Sequence, residues 1–275
     1  MDSTLQCHHA ECKVKYTVKM LSNVEVVLRW CTRNYHHWKR KNLAFASSYA
    51  TLADSSSPNT FWFNRSIMKH EKQQQKYDSF LVLDFEATCE RGRAIEPQEI
   101  IEFPCIKINV HTGEIDDIFH QYIKPKLIPI ITPFCTELTG IMQEMVNNEP
   151  YFEETFFQFQ EWLEETKCFN SGNRSIFVTS GDWDLQVMLP KQCQLSNMDI
   201  PFEMKQWINI KKAFAAATGY FPRGIIDMLT KLQLSHQGRL HSGIDDCHNI
   251  ATILKALIGR GFVFEETSHL KLNKI

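Results

Sequence analysis

The sequence predicts an α/β domain, a mixed central sheet flanked by helices, carried behind a basic N-terminal extension. Three observations point to it. From Tyr77 onward, short apolar runs rich in β-branched and aromatic residues alternate with segments of helical period. Two of those runs are joined by the tight turn HTGE, which makes an antiparallel meander. Charge is distributed unevenly: residues 1–76 hold 12 Lys+Arg against 5 Asp+Glu, leaving 18 against 27 in the remainder, although the whole chain nets only −2.

The elements follow in order. SFLVLDFEA opens the domain as a buried strand, EIIEFPCIKINV (99–110) is a second, and IDDIFHQYIK (115–124) a third. TELTG and MQEMVNN read as short helices. Between Tyr151 and Thr166, Phe152, Phe156, Phe159 and Leu163 recur at spacings of four, three and four. They form one stripe on an otherwise acidic helix, so they are expected in the core rather than as a base-stacking platform. SIFVTS (175–180) is another strand, ending in GDWD, and DLQVMLPKQC opens a helix expected to stop at Pro190. Further helices are expected over 209–218 and 225–234. The last begins at HSGIDDCHNIATILKALIGRG and stops at Gly259 and Gly261. No internal repeat and no glycine-rich phosphate loop is present.

With 275 residues, 43% hydrophobic and 23% charged, the chain can build one substantial domain and an appendage. We divide it into an extension and linker over 1–76, read as partly disordered, a domain over 77–268 and a tail over 269–275. Nine cysteines lack a paired framework and read as reduced thiols. No run reaches the roughly 18 residues of a membrane span, and the start MDSTLQCHHAEC does not resemble a signal peptide. Cytoplasm or nucleus is the expected location. Cys7, His8, His9 and Cys12 are metal-type ligands without a second pair at zinc-finger spacing, so a structural zinc is not expected. The basic run TRNYHHWKRK offers Tyr35 and Trp38 for stacking on bases, but it reads equally as an exposed helix or a nuclear-import signal.

The chemistry resides in carboxylates. In LVLDFEATCE, Asp84 and Glu86 are two apart on a strand and so leave by one face, while Phe85 leaves by the other. Two adjacent negative charges in an apolar run call for a divalent cation between them. GDWD delivers Asp182 and Asp184 at another strand end; Asp182 can cap the helix beginning near Trp183, which leaves Asp184 as the ligand, although alternation alone allows either. In the final helix Asp246, Ile250, Ile253 and Leu257 share the apolar stripe, so Asp246 points inward. Asp245 is expected to complete a capping box with Ser242.

These motifs, DFEATCE, SGDWD and HSGIDD with His241 five residues before Asp246, resemble the DEDDh 3′→5′ exonucleases of the ribonuclease H-like superfamily. EIIEFP, PFCTELTGI, KQWINIKKAF and HSGIDDCHNIA resemble within it the enhanced-RNAi and histone-mRNA exoribonuclease family, over about residues 77–268. The resemblance implies a ribonuclease H-like exonuclease fold. It implies metal ligands at Asp84, Glu86, Asp184 and Asp246 for two Mg²⁺ ions, with Mn²⁺ able to substitute. Asp84 would bridge the two ions. His241 is implied as general base and Glu86 as a catalytic group, with Glu86, Ala87 and His241 against the terminal nucleotide. Leu240 stands where the family has proline, which loosens that loop without removing a chemical group. The implied partner is RNA with a free 3′ end, degraded to nucleoside 5′-monophosphates, with no membrane involved. Rival expectations are a DNA-directed exonuclease and a non-catalytic nucleic-acid-binding scaffold; occupation of all five positions argues against the second.

Overall fold

A computed structural model describes residues 74–170 and 172–271. The readings made for Cys7, His8, His9, Cys12, Tyr35 and Trp38, for the extension up to residue 73, and for the last four residues of the tail lie outside the described residues.

Strand β1, Ser79–Leu83, is apolar on both faces because it runs through the middle of the sheet. It pairs antiparallel with β3, Ile100–Asn109, on one side and parallel with β5, Ser175–Thr179, on the other. The first predicted strand is not continuous. It breaks at Asp84–Phe85 and resumes as β2, Glu86–Ala87, on the same edge of β3, where the register shifts. Strand β4, Ile115–Tyr122, folds back on the far edge of β3 as the expected meander. Two further strands complete the mixed sheet: β6, Gln206–Asn209, parallel to β5, and β7, Ser268–His269, antiparallel to β6. QWIN was not anticipated as a strand, since four residues leading into a helix carry too little period to read.

The alternation in β1 assigns two cores. Phe80 and Val82 join one buried cluster with Ile106, Val178 and Ile208. It is covered by α5 (Ile210–Thr218), α6 (Ile225–Leu232) and α7 (Gly243–Gly259). Leu81 and Leu83 join the other with Phe103, Phe177 and Trp207. That face is covered by α3 (Phe152–Glu165) and by the helix that follows β5. Phe152, Phe156, Phe159 and Leu163 are all buried there, and the Phe103 and Phe159 rings lie 4.4 Å apart. The aromatic stripe is core, each ring contributing about 1.5–3 kcal/mol by burial. Two short helices, α1 (Pro133–Thr139) and α2 (Gln143–Val146), close one end.

The helix after β5 corrects one expectation. It does not stop at Pro190: a π-helical turn over Asp184–Met188 runs directly into α4, Leu189–Leu195, with the proline inside. Widening the turn relieves the clash between the pyrrolidine ring and the carbonyl four residues back, which a regular α-helix would impose.

Candidate active site

β1 ends, and the chain leaves the sheet plane, at Asp84. Continuing the pleat sends Asp84 toward the α7 side and Phe85 into the opposite core, where Phe85 is buried with its ring 4.7 Å from Phe103. Asp84, Glu86, Ala87, Asp184, His241 and Asp246 all line one cleft of about 1040 Å³. Four chain segments deliver them: the β1 end, β2, the turn after β5 and the start of α7.

Within the cleft the tightest group is Glu86, His241 and Asp246, one ligand atom of each lying within 4.8 Å of the others. Asp84 and Asp184 line the same cleft outside that trio. Asp184 is buried and its Oδ1 accepts the Phe85 backbone N–H at 2.9 Å, which locks the turn after β5 to the end of β1. Asp246 is buried on the sheet-facing stripe of α7, as its phase requires. Its Oδ2 accepts the His241 backbone N–H at 2.9 Å, and its Oδ1 is buried without a hydrogen-bond partner among the described residues. His241 itself is exposed, on a backbone of φ +60°, a left-handed conformation uncommon for a side-chain-bearing residue.

In GDWD the side chain of Asp182 turns toward β6 and its neighbours. The Asp182 carboxylate accepts hydrogen bonds from the Trp207 indole at 3.0 Å and the Ser268 hydroxyl at 2.7 Å, and pairs with Lys212 at 2.8 Å. Burial alone would push Asp182 upward, but those donors, led by Lys212, bring it down to about 2. Its side chain is therefore occupied by β6 and its neighbours and caps no helix.

The capping box is also corrected. Ser242 makes no side-chain cap bond, and Asp245 accepts the Arg239 backbone N–H at 2.8 Å instead. The first amides of α7 are taken by Glu102 of β3, which is fully buried and accepts from Gly243 at 3.0 Å and Ile244 at 3.2 Å. A carboxyl group held against the orphan helix amides, at the positive end of the helix dipole, is a better-placed acceptor than the Ser242 hydroxyl. Gly243 permits this approach, because a Cβ there would stand 2.5 Å from the Asp84 carbonyl oxygen. Glu102 and Gly243 escaped the sequence reading. The signal for Glu102 was available, since it too is a charge inside an apolar strand.

Electrostatically the cleft floor is crowded with acid. Burial, then Asp184 and Glu86, hold Asp84 well above the carboxylate range. Burial, then Glu102, Asp246 and Asp184, raise Glu86 to about 9. Burial raises Asp184 to about 6 against the opposing Phe85 N–H, and raises Asp246 against the opposing His241 N–H. Such groups favour whatever neutralises them. An unpaired buried carboxylate oxygen amid three other acids has the hard-oxygen chemistry of a Mg²⁺ or Mn²⁺ site, so the residues present fit a divalent ion.

Comparison with known proteins identifies the family. Residues 81–254 match the family model described as RNase_T, exonuclease. The chain is 52% identical over 195 residues to human ERI1 exoribonuclease 3, covering 70% of this chain and 58% of that protein. It is 39% identical over 192 residues to 3′-5′ exoribonuclease 1 of Rattus norvegicus, covering 67% and 54%. It thus spans little more than half the length of these relatives. Among solved structures, the nuclease domain of 3′hExo, a DEDDh family member bound to rAMP, superposes with TM-score 0.68 at 36% identity, covering 71% of this chain and 98% of that one. A structure of 3′-end-specific recognition of a histone mRNA stem-loop by 3′-exonuclease gives TM-score 0.65 at 36% identity, covering 69% and 85%. With a sheet, a carboxylate cleft and a family match over the same residues, the chain belongs to the RNase_T exonuclease family and has its DEDDh nuclease fold.

Proposed function

We propose that this protein is a metal-dependent 3′→5′ exoribonuclease that hydrolyses RNA from a free 3′ end and releases nucleoside 5′-monophosphates. The observation that carries the reading is the cleft: five residues from distant segments line it, and a buried Asp246 oxygen has no hydrogen-bond partner among the described residues. Membership of a metal-dependent family supports it, as does the description of its relatives as exoribonucleases.

Asp84, Glu86, Asp184 and Asp246 would hold Mg²⁺, or Mn²⁺ in its place. Bound there, divalent ions would lower the pKa of water and neutralise charge on the attacking and leaving oxygens. The protein's own groups do the rest. His241, exposed at the cleft mouth beside Glu86 and Asp246, accepts the proton of the attacking water. Its backbone bond to Asp246 sets its distance from the carboxylates. Glu86 and Ala87 on β2 form the wall against which the terminal nucleotide rests, and Phe85 supports that wall from the core behind. Ribose is distinguished from deoxyribose only through its 2′-hydroxyl, so preference for RNA is a direct measurement.

The test compares Mg²⁺-dependent degradation of matched single-stranded RNA, duplex RNA and DNA oligomers with free or blocked 3′ termini. Stepwise loss of mononucleotides from free-ended RNA is expected. Equal or faster loss from DNA would shift the substrate assignment, and cleavage of 3′-blocked RNA would refute exonucleolytic action.

A further inference from the structure

We propose that Glu102 is a positioning residue for this reaction, holding the start of α7, and with it His241 and Asp246, in register with Asp84 and Glu86. The inference rests on the nuclease reading above for its chemistry, and on independent geometry for the tether itself. Glu102 lies on β3 directly opposite Glu86 of β2 and, on its other side, opposite Tyr122 of β4. It is fully buried, the third residue of the strand IIEFPCIKIN. Its two oxygens receive three donors: the Gly243 amide, the Ile244 amide and the His120 imidazole Nε2 at 2.8 Å.

Each partner has a reason to be there. The first amides of a helix lack intrahelical acceptors and sit at the positive end of its dipole, so a carboxylate is the natural acceptor. A buried carboxylate needs more than one donor to offset its desolvation, and His120, at the outer edge strand, supplies the third. The tether joins α7 to β3 beside the Asp84 backbone, where a Cβ on residue 243 would stand 2.5 Å from the Asp84 carbonyl oxygen. Asp246 is three residues beyond Gly243, and His241 two before it. Fixing two consecutive amides therefore fixes the position and azimuth of the first helical turn, which decides where the Asp246 carboxylate points. Ser242, the residue that sequence would choose for this task, makes no cap bond. Among the described residues the Gly243 and Ile244 backbone amides have no acceptor other than Glu102, so the attachment of the first turn of α7 to the sheet passes through this carboxylate.

The experiment uses the full chain with Glu102→Gln, which keeps the size but replaces an acceptor by a donor facing N–H groups, and His120→Leu, which removes only the third donor at a partly exposed edge. Three quantities are read: hydrogen exchange of residues 240–247, Mn²⁺ affinity, and kcat and KM on an RNA oligomer. For Glu102→Gln, exchange at the α7 start should rise at least tenfold, Mn²⁺ affinity should weaken several-fold, and kcat should fall tenfold or more with KM within about twofold. His120→Leu should give the same pattern in weaker form, and keeps the test available if Glu102→Gln fails to fold. His120→Gln, which preserves a donor, should restore near wild-type kcat. Wild-type exchange and kcat in folded Glu102→Gln would overturn the proposal. So would a lower Tm with kcat per folded molecule unchanged, which is what a purely structural role predicts. If the wild-type protein binds Mn²⁺ but hydrolyses no nucleic acid, the nuclease reading fails alone, and the exchange and Mn²⁺ measurements still decide the tether.

Discussion

Asp246 and His241 show how single residues divide the work. Asp246 keeps one oxygen on the His241 amide and leaves the other buried and unpaired, so its cost is offset only when a cation arrives. His241 contributes its backbone to that bond and leaves its ring exposed for proton transfer. Two predictions belong here. His241→Ala should lower kcat by about 10²–10⁴, the usual worth of a positioned general base, while leaving Mn²⁺ binding within a few-fold. Asp84→Ala should abolish hydrolysis and leave the fold intact, because the Asp84 carboxyl makes no hydrogen bond or ion pair among the described residues and its removal relieves the crowding with Asp184 and Glu86. Near-normal turnover of a labelled oligonucleotide by either variant rejects these roles.

At the scale of elements, the site depends on how closely α7 seats against the sheet. Ile250, Ile253, Leu254 and Leu257 press one face of the helix into the core, worth about 1.5–3 kcal/mol for each fully buried side chain. Its N-terminal turn can follow only because residue 243 has no Cβ. Gly243→Ala should therefore push the helix start from the Asp84 carbonyl, costing about 1–3 kcal/mol in denaturant unfolding and a larger fraction of turnover. Unchanged stability and activity would show that α7 sits farther out. On the other face of the sheet, Phe156 is fully buried in α3. Phe156→Ala should cost about 3–5 kcal/mol with oligonucleotide KM unchanged in the folded fraction. A KM effect without destabilisation would restore the base-stacking reading of the stripe.

For the whole molecule, the acid cluster couples folding to protons and cations. Without metal, Glu86 at about 9, Asp184 at about 6, and the raised Asp84 and Asp246 bind more protons folded than unfolded, where carboxylates lie near about 4. That contribution is complete below the unfolded value and is lost as pH rises through about 4 to 9. Asp182, lowered to about 2, works in the opposite sense but only in acid below about 4. The chelator-treated protein should thus show a higher Tm at pH 6 than at pH 8. Divalent ions compete with those protons, so Mg²⁺ or Mn²⁺ should raise Tm more at pH 8. At a hundredfold excess over Kd the gain is about 2.7 kcal/mol. A metal-free Tm that climbs from pH 6 to pH 8 would mean that the carboxylates are not crowded in solution.

What the sequence settled by itself is whatever follows from period. A repeat of two sent Phe85 into the core although the strand itself breaks at Asp84–Phe85, and a repeat near 3.6 turned Asp246 inward and the Phe152–Leu163 stripe into the core. Motif resemblance then supplied the class of fold and the histidine. What needed the tertiary structure is whatever depends on a partner distant in the chain. Asp182 is distinguished from Asp184 by Lys212, Ser268 and Trp207; the cap of α7 comes from Glu102 rather than Ser242; and Pro190 stays inside a helix because the turn before it widens. Local spacing dictates which way a side chain faces, but which donor or acceptor it meets is set by strand register and by how closely two elements approach. Those are properties of packing, and one-dimensional text does not carry them.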